Sequence, residues 1–293
     1  MGIIFADARH LLEARQGRTG GKAVTLGRLT TYLHPSDLRA LRKLVGDDAD
    51  SIRWLDAYRW GMPADGFFRD VLKFDSIDSV DFSEYQGATI IHDLSRPLPA
   101  ELELKFDLAV DGGTLEHVFN FPVAVANLMR LVRPGGLVYS KGPCNNLCGH
   151  GFYQFSPELM YRIFSPQNGF AVRFVRLAET RYHSVEATTG HAIYEVTDPD
   201  SVGRRVNLVT SRPVLILTLA ERVAACEPFA QPVLQSDYVT RWKEDGGSAG
   251  SRRGGLKELA RRYVPTRAWT LARGAAMRRA ASWRNSRHFK RVR

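Results

Sequence analysis

Three aspartates follow three successive apolar stretches, and their type and spacing make them candidates for binding a polar ligand. Asp81 and Asp111 each end such a stretch, and Asp93 follows another. Aspartate also begins turns after strands for structural reasons alone, which is the alternative for any one of them. Three in succession favour a shared functional edge.

Two histidines are candidates for acid–base chemistry because imidazole titrates near neutral pH. His117 stands in the segment LEHV, and His150 lies in the glycine-rich stretch NNLCGHGFYQF. Glu116 and Tyr153 are placed to assist or to position them. The alternatives are a helix-start histidine bonded to backbone for His117 and a loop-packing histidine for His150.

The spacing Cys144-x3-Cys148-x-His150 raises the question of a zinc site. A zinc site usually pairs two close ligands with two more, and Cys226 is the only other cysteine. We therefore predict no metal, and small packed or loop cysteines in a reducing compartment.

The elements that must position these residues alternate between short apolar runs and helical patterns. The runs at residues 22–27, 76–81, 88–92, 106–111 and 136–140 predict strands, with later strands at 170–177 and 213–219. This order predicts an α/β fold, a Rossmann-like, mostly parallel, seven-stranded sheet with helices on both faces. In such sheets ligands bind beyond the carboxyl ends of the strands.

Charge divides the chain into a body and a tail. The net charge is +10 over 293 residues, yet residues 251–293 hold fourteen Lys or Arg and one acid, which leaves −3 for residues 1–250. We predict a domain over 1–240, a Gly/Ser-rich linker over 241–255, and a basic amphipathic, helical or disordered tail over 256–293. The composition and the absence of a long apolar run predict a cytoplasmic protein.

The stretch from Phe106 to Gly136, FDLAVDGGTLEHVFNFPVAVANLMRLVRPGG, resembles the region after the fourth strand of class I S-adenosylmethionine-dependent methyltransferases. That family has Asp at the strand end, a Leu-Glu-His-Val-like helix start, and an Arg/Lys-Pro-Gly-Gly turn. The continuation GHGFYQFSPELMYRIFSPQNGF resembles a bacterial branch associated with sugar and cell-envelope glycan modification.

The resemblance implies S-adenosylmethionine as cofactor and assigns positions around it. Asp81 matches the acid that takes the ribose hydroxyls, since a carboxylate accepts two hydrogen bonds from a vicinal diol. Asp93 matches the position near the adenine amino group, and His92 would flank the ring. The remaining matches are Asp111 and Gly112, under the methionine part, and Gly27, the first glycine after strand one.

The first loop departs from the family pattern. Thr25 occupies the place of the usual acid, and Leu29 and Thr31 stand where two later glycines are expected. Glycines there let the backbone approach a ligand closely. A non-catalytic, methyltransferase-like binding module is therefore an alternative to an enzyme.

The leading hypothesis is O-methylation of a sugar or glycan acceptor. An NAD-linked oxidoreductase is disfavoured because no Gly-x-Gly-x-x-Gly follows the first strand. The arginine-rich tail with spaced tryptophans suits peripheral contact with an anionic inner-membrane surface. It also suits a nucleic-acid methyltransferase, although the acidic body argues against a nucleic-acid groove across the fold.

Overall fold

The computed structural model describes residues 2–15, 18–182, 184–238 and 266–292. The strands are β1 (Gly2–Ile3), β2 (Lys22–Leu26), β3 (Thr30–Thr31), β4 (Ser76–Asp81), β5 (Ile90–Ile91), β6 (Phe106–Asp111), β7 (Val132–Asn145), β8 (Phe170–Glu179), β9 (Ala192–Val196), β10 (Val214–Arg222) and β11 (Phe289–Arg291). The helices are α1 (Phe5–Arg15), α2 (Pro35–Val45), α3 (Ala49–Ala57), α4 (Phe121–Leu131), α5 (Pro157–Ile163), α6 (Pro199–Val202) and α7 (Thr266–Ala280).

Nine of these strands form one sheet in the order β11-β9-β8-β10-β7-β6-β2-β4-β5. The strands β5, β4, β2, β6 and β7 are mutually parallel, whereas β10 runs antiparallel to both of its neighbours. Along the chain, the parallel half is laid down from β2 outward to β5 and then from β6 to β7. This is the doubly wound order, with its switch point between β2 and β6.

Two apolar cores cover the two faces of this sheet. On β2, Ala23 belongs to the core beneath α1, α2 and α3, and its neighbour Val24 belongs to the core beneath α4 and α5. Successive strand residues point to opposite faces, so a strand buried on both sides reads as a continuous apolar run. Because both faces are covered, polar groups that act on a ligand must lie at the ends of the strands.

The α/β class with helices on both faces is confirmed, but the prediction of a mostly parallel seven-stranded sheet is wrong. The sheet has nine strands and is mixed, because β9 and β11 extend its antiparallel half. Both extra strands are short: β9 has five residues, AIYEV, and β11 has three, FKR. Neither contains an apolar run long enough to mark a buried strand.

The C-terminal part of the predicted tail joins the body. Trp283 stacks on Tyr194 at 4.2 Å between ring centroids, and Phe289 in β11 is 3% exposed. Residues 239–265, which include the whole predicted linker and the first part of the predicted tail, lie outside the described residues. Within the described ranges, none of the helices combines the length and apolar character needed to span a bilayer.

Candidate functional site

The three predicted aspartates lie at one edge of the sheet. Strands β4, β5 and β6 run parallel to β2 or to its parallel neighbour, with Asp81 in register with Ile91 and Asp111 in register with Leu26. Parallel strands end at the same edge, and the switch point of the sheet falls here. The shared edge is therefore confirmed, whereas the binding roles of these residues stay predictions.

Asp111 is turned into the protein and organises the loop that follows it. Its Oδ1 accepts hydrogen bonds from the backbone of Gly113, Thr114 and Leu115, and its Oδ2 accepts one from Ser140 at 2.7 Å. The side chain has no exposed surface. Burial, reinforced by the nearby Glu116, raises the pKa of Asp111 to about 6. What this strand end offers to a ligand is thus the backbone of Gly112 and Gly113.

The three residues that depart from the family pattern in the first loop, Thr25, Leu29 and Thr31, each make contacts within the protein. Gly27 has a φ of +70°, and the Thr25 hydroxyl donates to its carbonyl at 2.7 Å. Thr31 is fully buried and donates to the carbonyl of Met62. Leu29 packs on Gly112, where an added Cβ would lie 2.7 Å from a Leu29 methyl. Leu29 therefore covers one side of Gly112, whereas Gly112 and Gly113 still border a small cavity that is lined also by Glu116.

Asp81 lies beside exposed apolar surface. Its Oδ1 accepts the backbone N–H of Phe82 at 2.7 Å, and its carboxylate is partly exposed. Three large apolar side chains around it are left facing solvent: Phe82 (75%), Tyr85 (91%) and Ile91 (48%). A carboxylate next to an exposed aromatic ring suits a ligand that carries both hydroxyl groups and a flat apolar ring.

Asp93 and His92 are held by local bonds at the end of β5. Ser95 donates both its backbone N–H and its hydroxyl to Asp93 Oδ1, which lowers the pKa of Asp93. Arg96 forms an ion pair with the other carboxylate oxygen at 3.3 Å. The His92 ring lies 3.2 Å from the Arg96 carbonyl, and its backbone N–H donates to Asp81. The backbone of His92 is therefore bonded to that of Asp81, and the binding roles of His92 and Asp93 stay predictions.

Glu116, His117 and His150 come together beyond the carboxyl ends of β6 and β7. Their ligand atoms all lie within 4.8 Å of one another. The His150 Nε2 is 3.4 Å from Glu116 Oε1, and this carboxylate raises the pKa of His150. Glu116 is 1% exposed, whereas both histidines are exposed. A cavity of about 90 Å³ adjoins the group and is lined also by Gly112, Gly113 and Gly142.

The loop that carries His150 is fixed against Glu116. The backbone N–H of Phe152 donates to the Glu116 carbonyl at 2.7 Å. Gly151 has a φ of +74°, and an added Cβ would lie 2.7 Å from the same carbonyl oxygen. Only glycine combines this backbone conformation with so close an approach. The glycine-rich character of the loop therefore has a steric cause.

Tyr153 lies near this group but its hydroxyl is engaged elsewhere. It donates to the Phe119 carbonyl at 2.6 Å, and its ring packs beside Phe121 and Phe155. The structure thus places Tyr153 as a support that ties the His150 loop to the turn after β6. Phe119 and Phe152 are exposed and form an edge-to-face pair at 5.7 Å.

Sequence reasoning missed a buried ion pair that lines the same cavity. Lys141 is 7% exposed and donates to Asp7 Oδ2 at 2.8 Å and to the Gly2 carbonyl. Tyr139 donates to the other oxygen of Asp7, and burial raises the pKa of this tyrosine. A lysine inside the apolar run GLVYSKG was the available signal. These contacts hold the first residues of the chain over the cavity.

The chain matches no protein-family model and no curated protein. Among solved structures it is similar to an SAM-dependent methyltransferase from Thermotoga maritima (14% identity, TM-score 0.39, covering 75% of this chain and 90% of that one). It is also similar to the YcgJ protein from Bacillus subtilis (11%, TM-score 0.41, 74% and 98%). A third is 1,6-didemethyltoxoflavin-N1-methyltransferase from Burkholderia thailandensis (13%, TM-score 0.36, 75% and 78%). Because these values are low, the function proposed below rests on this chain's own residues.

Proposed function

We propose that the protein is an S-adenosylmethionine-dependent methyltransferase. The observation that carries the proposal is the order of features along one sheet edge. Asp81, with exposed apolar side chains, lies on one side of the switch point, and the Gly112–Gly113 backbone lies at its centre. The Glu116, His117 and His150 group follows on the other side. A nucleoside, a sulfonium and an acceptor need these three surroundings in this order.

The chemistry asks little more than alignment from the protein. The acceptor oxygen attacks the methyl carbon, the sulfur–carbon bond breaks, and the sulfur leaves as a neutral thioether while the hydroxyl loses its proton. Because the sulfonium is already a good leaving group, holding the two reactants in line supplies most of the acceleration. We assign activation of the acceptor hydroxyl to Glu116, His117 and His150, the polar side chains next to the cavity.

A sugar or glycan hydroxyl is the acceptor that this site favours. Phe152, whose backbone bonds to the Glu116 carbonyl, forms an exposed aromatic pair with Phe119, and this pair offers apolar faces to a sugar ring. The carboxylates of Asp81, Asp93 and Glu186 lie along the same edge and disfavour a polyanionic substrate. The resemblance of the stretch GHGFYQFSPELMYRIFSPQNGF to a glycan-associated branch suggests the same class of acceptor.

Calorimetric titration of the full-length protein with S-adenosylhomocysteine tests the proposal directly. We expect saturable binding, with competition by S-adenosylmethionine. If neither compound binds at millimolar concentration, the enzyme proposal is wrong and a non-catalytic module is the better description. Salt-dependent binding of RNA by the same preparation would favour the nucleic-acid alternative.

We further propose that helix α7 contacts an anionic membrane surface. Its residues are not buried, and it presents Arg267, Arg273, Arg278 and Arg279 beside the exposed Leu271. Because β11 pairs with β9, truncation would damage the sheet, so Arg273→Gln with Arg278→Gln is the better variant. Co-sedimentation with anionic but not neutral vesicles, reduced in the double variant, is the expected result.

A further inference from the structure

We propose that Glu116, His117 and His150 bind a divalent transition-metal cation. One carboxylate oxygen and one nitrogen from each imidazole lie mutually within 4.8 Å, so a single ion would contact all three once the exposed histidine side chains rotate toward the carboxylate. The cysteine spacing around His150 predicts no metal. The tertiary structure instead pairs this histidine with two residues from the turn after β6.

The strongest sign of a missing ligand is an unpartnered carboxylate oxygen. Glu116 is 1% exposed, and its Oε2 has no hydrogen-bond partner among the described residues. A buried carboxylate oxygen without a partner is costly and calls for an ion, a water or a function. Gly142 and the Phe155 ring lie next to it, since a Cβ added at Gly142 would be 3.7 Å from Oε2 and 2.8 Å from the ring. A cation at this position would neutralise the buried charge.

The donor set selects the class of ion. Two imidazoles and one carboxylate suit first-row ions such as Zn²⁺, Fe²⁺ and Co²⁺, and three protein ligands leave positions open for a further ligand. Mg²⁺ and Ca²⁺ prefer oxygen ligands and suit this set less well. Both histidines are exposed, so an ion can reach them from solvent.

Each ligand stands on a segment that the fold holds in place. Glu116 and His117 belong to the short turn Leu115–His117, whose start is tied to Asp111 by backbone hydrogen bonds. His150 is fixed by the bond between Phe152 N–H and the Glu116 carbonyl and by the close approach of Gly151. A site whose ligands are positioned before binding loses little entropy when the ion arrives.

The role of the ion rests on the proposed function, although its binding does not. A hydroxyl that occupies an open position becomes more acidic, as water does on a catalytic cation. On methyl transfer the oxygen–methyl bond forms, the sulfur–methyl bond breaks, and the hydroxyl proton passes to solvent water. His150 then serves as a ligand, because the Nε2 lone pair cannot bind an ion and a proton at once.

Metal titration of the full-length, EDTA-treated protein tests the site without any need for activity. We expect stoichiometric binding of Zn²⁺ by calorimetry and, for Co²⁺, visible absorption bands typical of nitrogen and oxygen ligands. Glu116→Gln, His117→Gln and His150→Gln should each weaken binding by about 100-fold or more, since even outer-shell partners are worth about 10–100-fold. Circular dichroism spectra and melting curves check that each variant folds. Because both histidines are exposed, their substitution should leave the fold intact.

Cys148→Ser is the matched control because this exposed thiol lies in the same loop. Burial raises the pKa of Cys144 to about 12, which keeps that second thiol protonated and a poor ligand. The proposal predicts unchanged affinity in Cys148→Ser and no thiolate-to-cobalt charge-transfer band. Loss of binding in this variant, or unchanged binding in Glu116→Gln, would overturn it.

The proposed metal site and the proposed methyltransferase function can be refuted independently of each other. Zinc binding without S-adenosylhomocysteine binding would support the metal site and contradict the methyltransferase proposal. Binding of S-adenosylhomocysteine by a protein that takes up neither Zn²⁺ nor Co²⁺ would leave the function standing and refute the site.

Discussion

The two ends of the sheet's carboxyl edge carry similar acidic side chains but hold them in opposite ways. On the β4–β5 side, Asp81 and Asp93 are partly exposed, and their carboxylates accept hydrogen bonds from the sequence neighbours Phe82 and Ser95. On the β6–β7 side, Asp111 and Glu116 are buried, and Asp111 accepts four hydrogen bonds. One half of this edge therefore carries partly exposed carboxylates, and the other half carries buried carboxylates.

This difference indicates how each half would meet a ligand. An exposed carboxylate is already solvated and can exchange water for a ligand hydroxyl with little rearrangement. A buried carboxylate has lost its water during folding. Its unused hydrogen-bond acceptor positions can therefore interact only with groups in the adjoining space. The pKa values follow the same division, since Asp111 is shifted upward by burial and Asp93 downward by hydrogen bonds.

The largest expected effect is the loss of the Asp111 carboxylate. Asp111→Ala leaves three backbone N–H groups and the Ser140 hydroxyl without their acceptor, which should lower the free energy of unfolding by about 3–5 kcal/mol. Asp111→Asn is the control, because its amide oxygen still accepts from the backbone and it should lose only about 1 kcal/mol. Urea denaturation compares them, and equal losses would contradict the capping role.

The pH dependence of stability should have opposite signs in the two halves. The folded-state pKa of Asp111, about 6, lies above the ordinary value of 3.8, so the native state holds this proton more tightly. Its contribution is therefore present at pH below 3.8 and is lost as the pH rises through about 6. The part of the free energy of unfolding that is lost over this pH range amounts to about 3 kcal/mol.

Asp93 supplies the internal comparison for this measurement. Its pKa is lowered, so its contribution is present above the ordinary pKa and is lost as the pH falls. Unfolding free energies of the wild type, Asp111→Asn and Asp93→Asn, followed with pH in the presence of EDTA, should give difference curves of opposite slope. Parallel curves would show that both carboxylates have the same surroundings in solution.

Removal of the partly exposed Asp81 carboxylate should weaken ligand binding without affecting folding. Asp81→Ala is expected to weaken S-adenosylhomocysteine binding by about 1–3 kcal/mol, the scale of lost charge-assisted hydrogen bonds. Glu101→Ala removes an exposed carboxylate from the turn Ala100–Leu102 and should leave the affinity unchanged. Unchanged affinity in Asp81→Ala, measured by calorimetry, would refute the ribose assignment.

The smallest expected effect concerns the exposed ring beside Asp81. Phe82 is 75% exposed, so Phe82→Ala should leave the unfolding free energy within about 0.5 kcal/mol of the wild type. If the ring packs on the nucleoside, ligand affinity should still fall by about 1 kcal/mol. Phe119→Ala, on the other half of the edge, should leave this affinity unchanged, and an equal loss in both variants would remove the distinction.

The parts of the fold set by local patterns could be predicted from the sequence. The runs at 76–81 and 106–111 coincide with β4 and β6, and helix α4 buries the apolar face that contains Val125, Leu128 and Met129. In each case the signal is a periodicity within one segment. The strand β11 could not be predicted, because its three residues pair with β9, which lies far away along the chain, and β9 itself pairs with β11 as well as with the preceding strand β8.

The candidate site shows the same limit at the level of single residues. Asp81, Asp93 and Asp111 were found because a strand end is visible in the sequence. That Asp111 is a buried cap, or that Tyr153 bonds to a carbonyl, depends on which way each side chain turns after packing. Residue type alone does not contain this information.

The sequence by itself determined the α/β class and the edge at which polar residues collect, since strand periodicity and the parallel order follow from the pattern of apolar residues. Only the tertiary structure decided that Leu29 covers Gly112 and that His150 meets Glu116. The physical reason is that such contacts join segments far apart in the chain. Their geometry is set by steric fit and burial across the whole core, not by any local repeat.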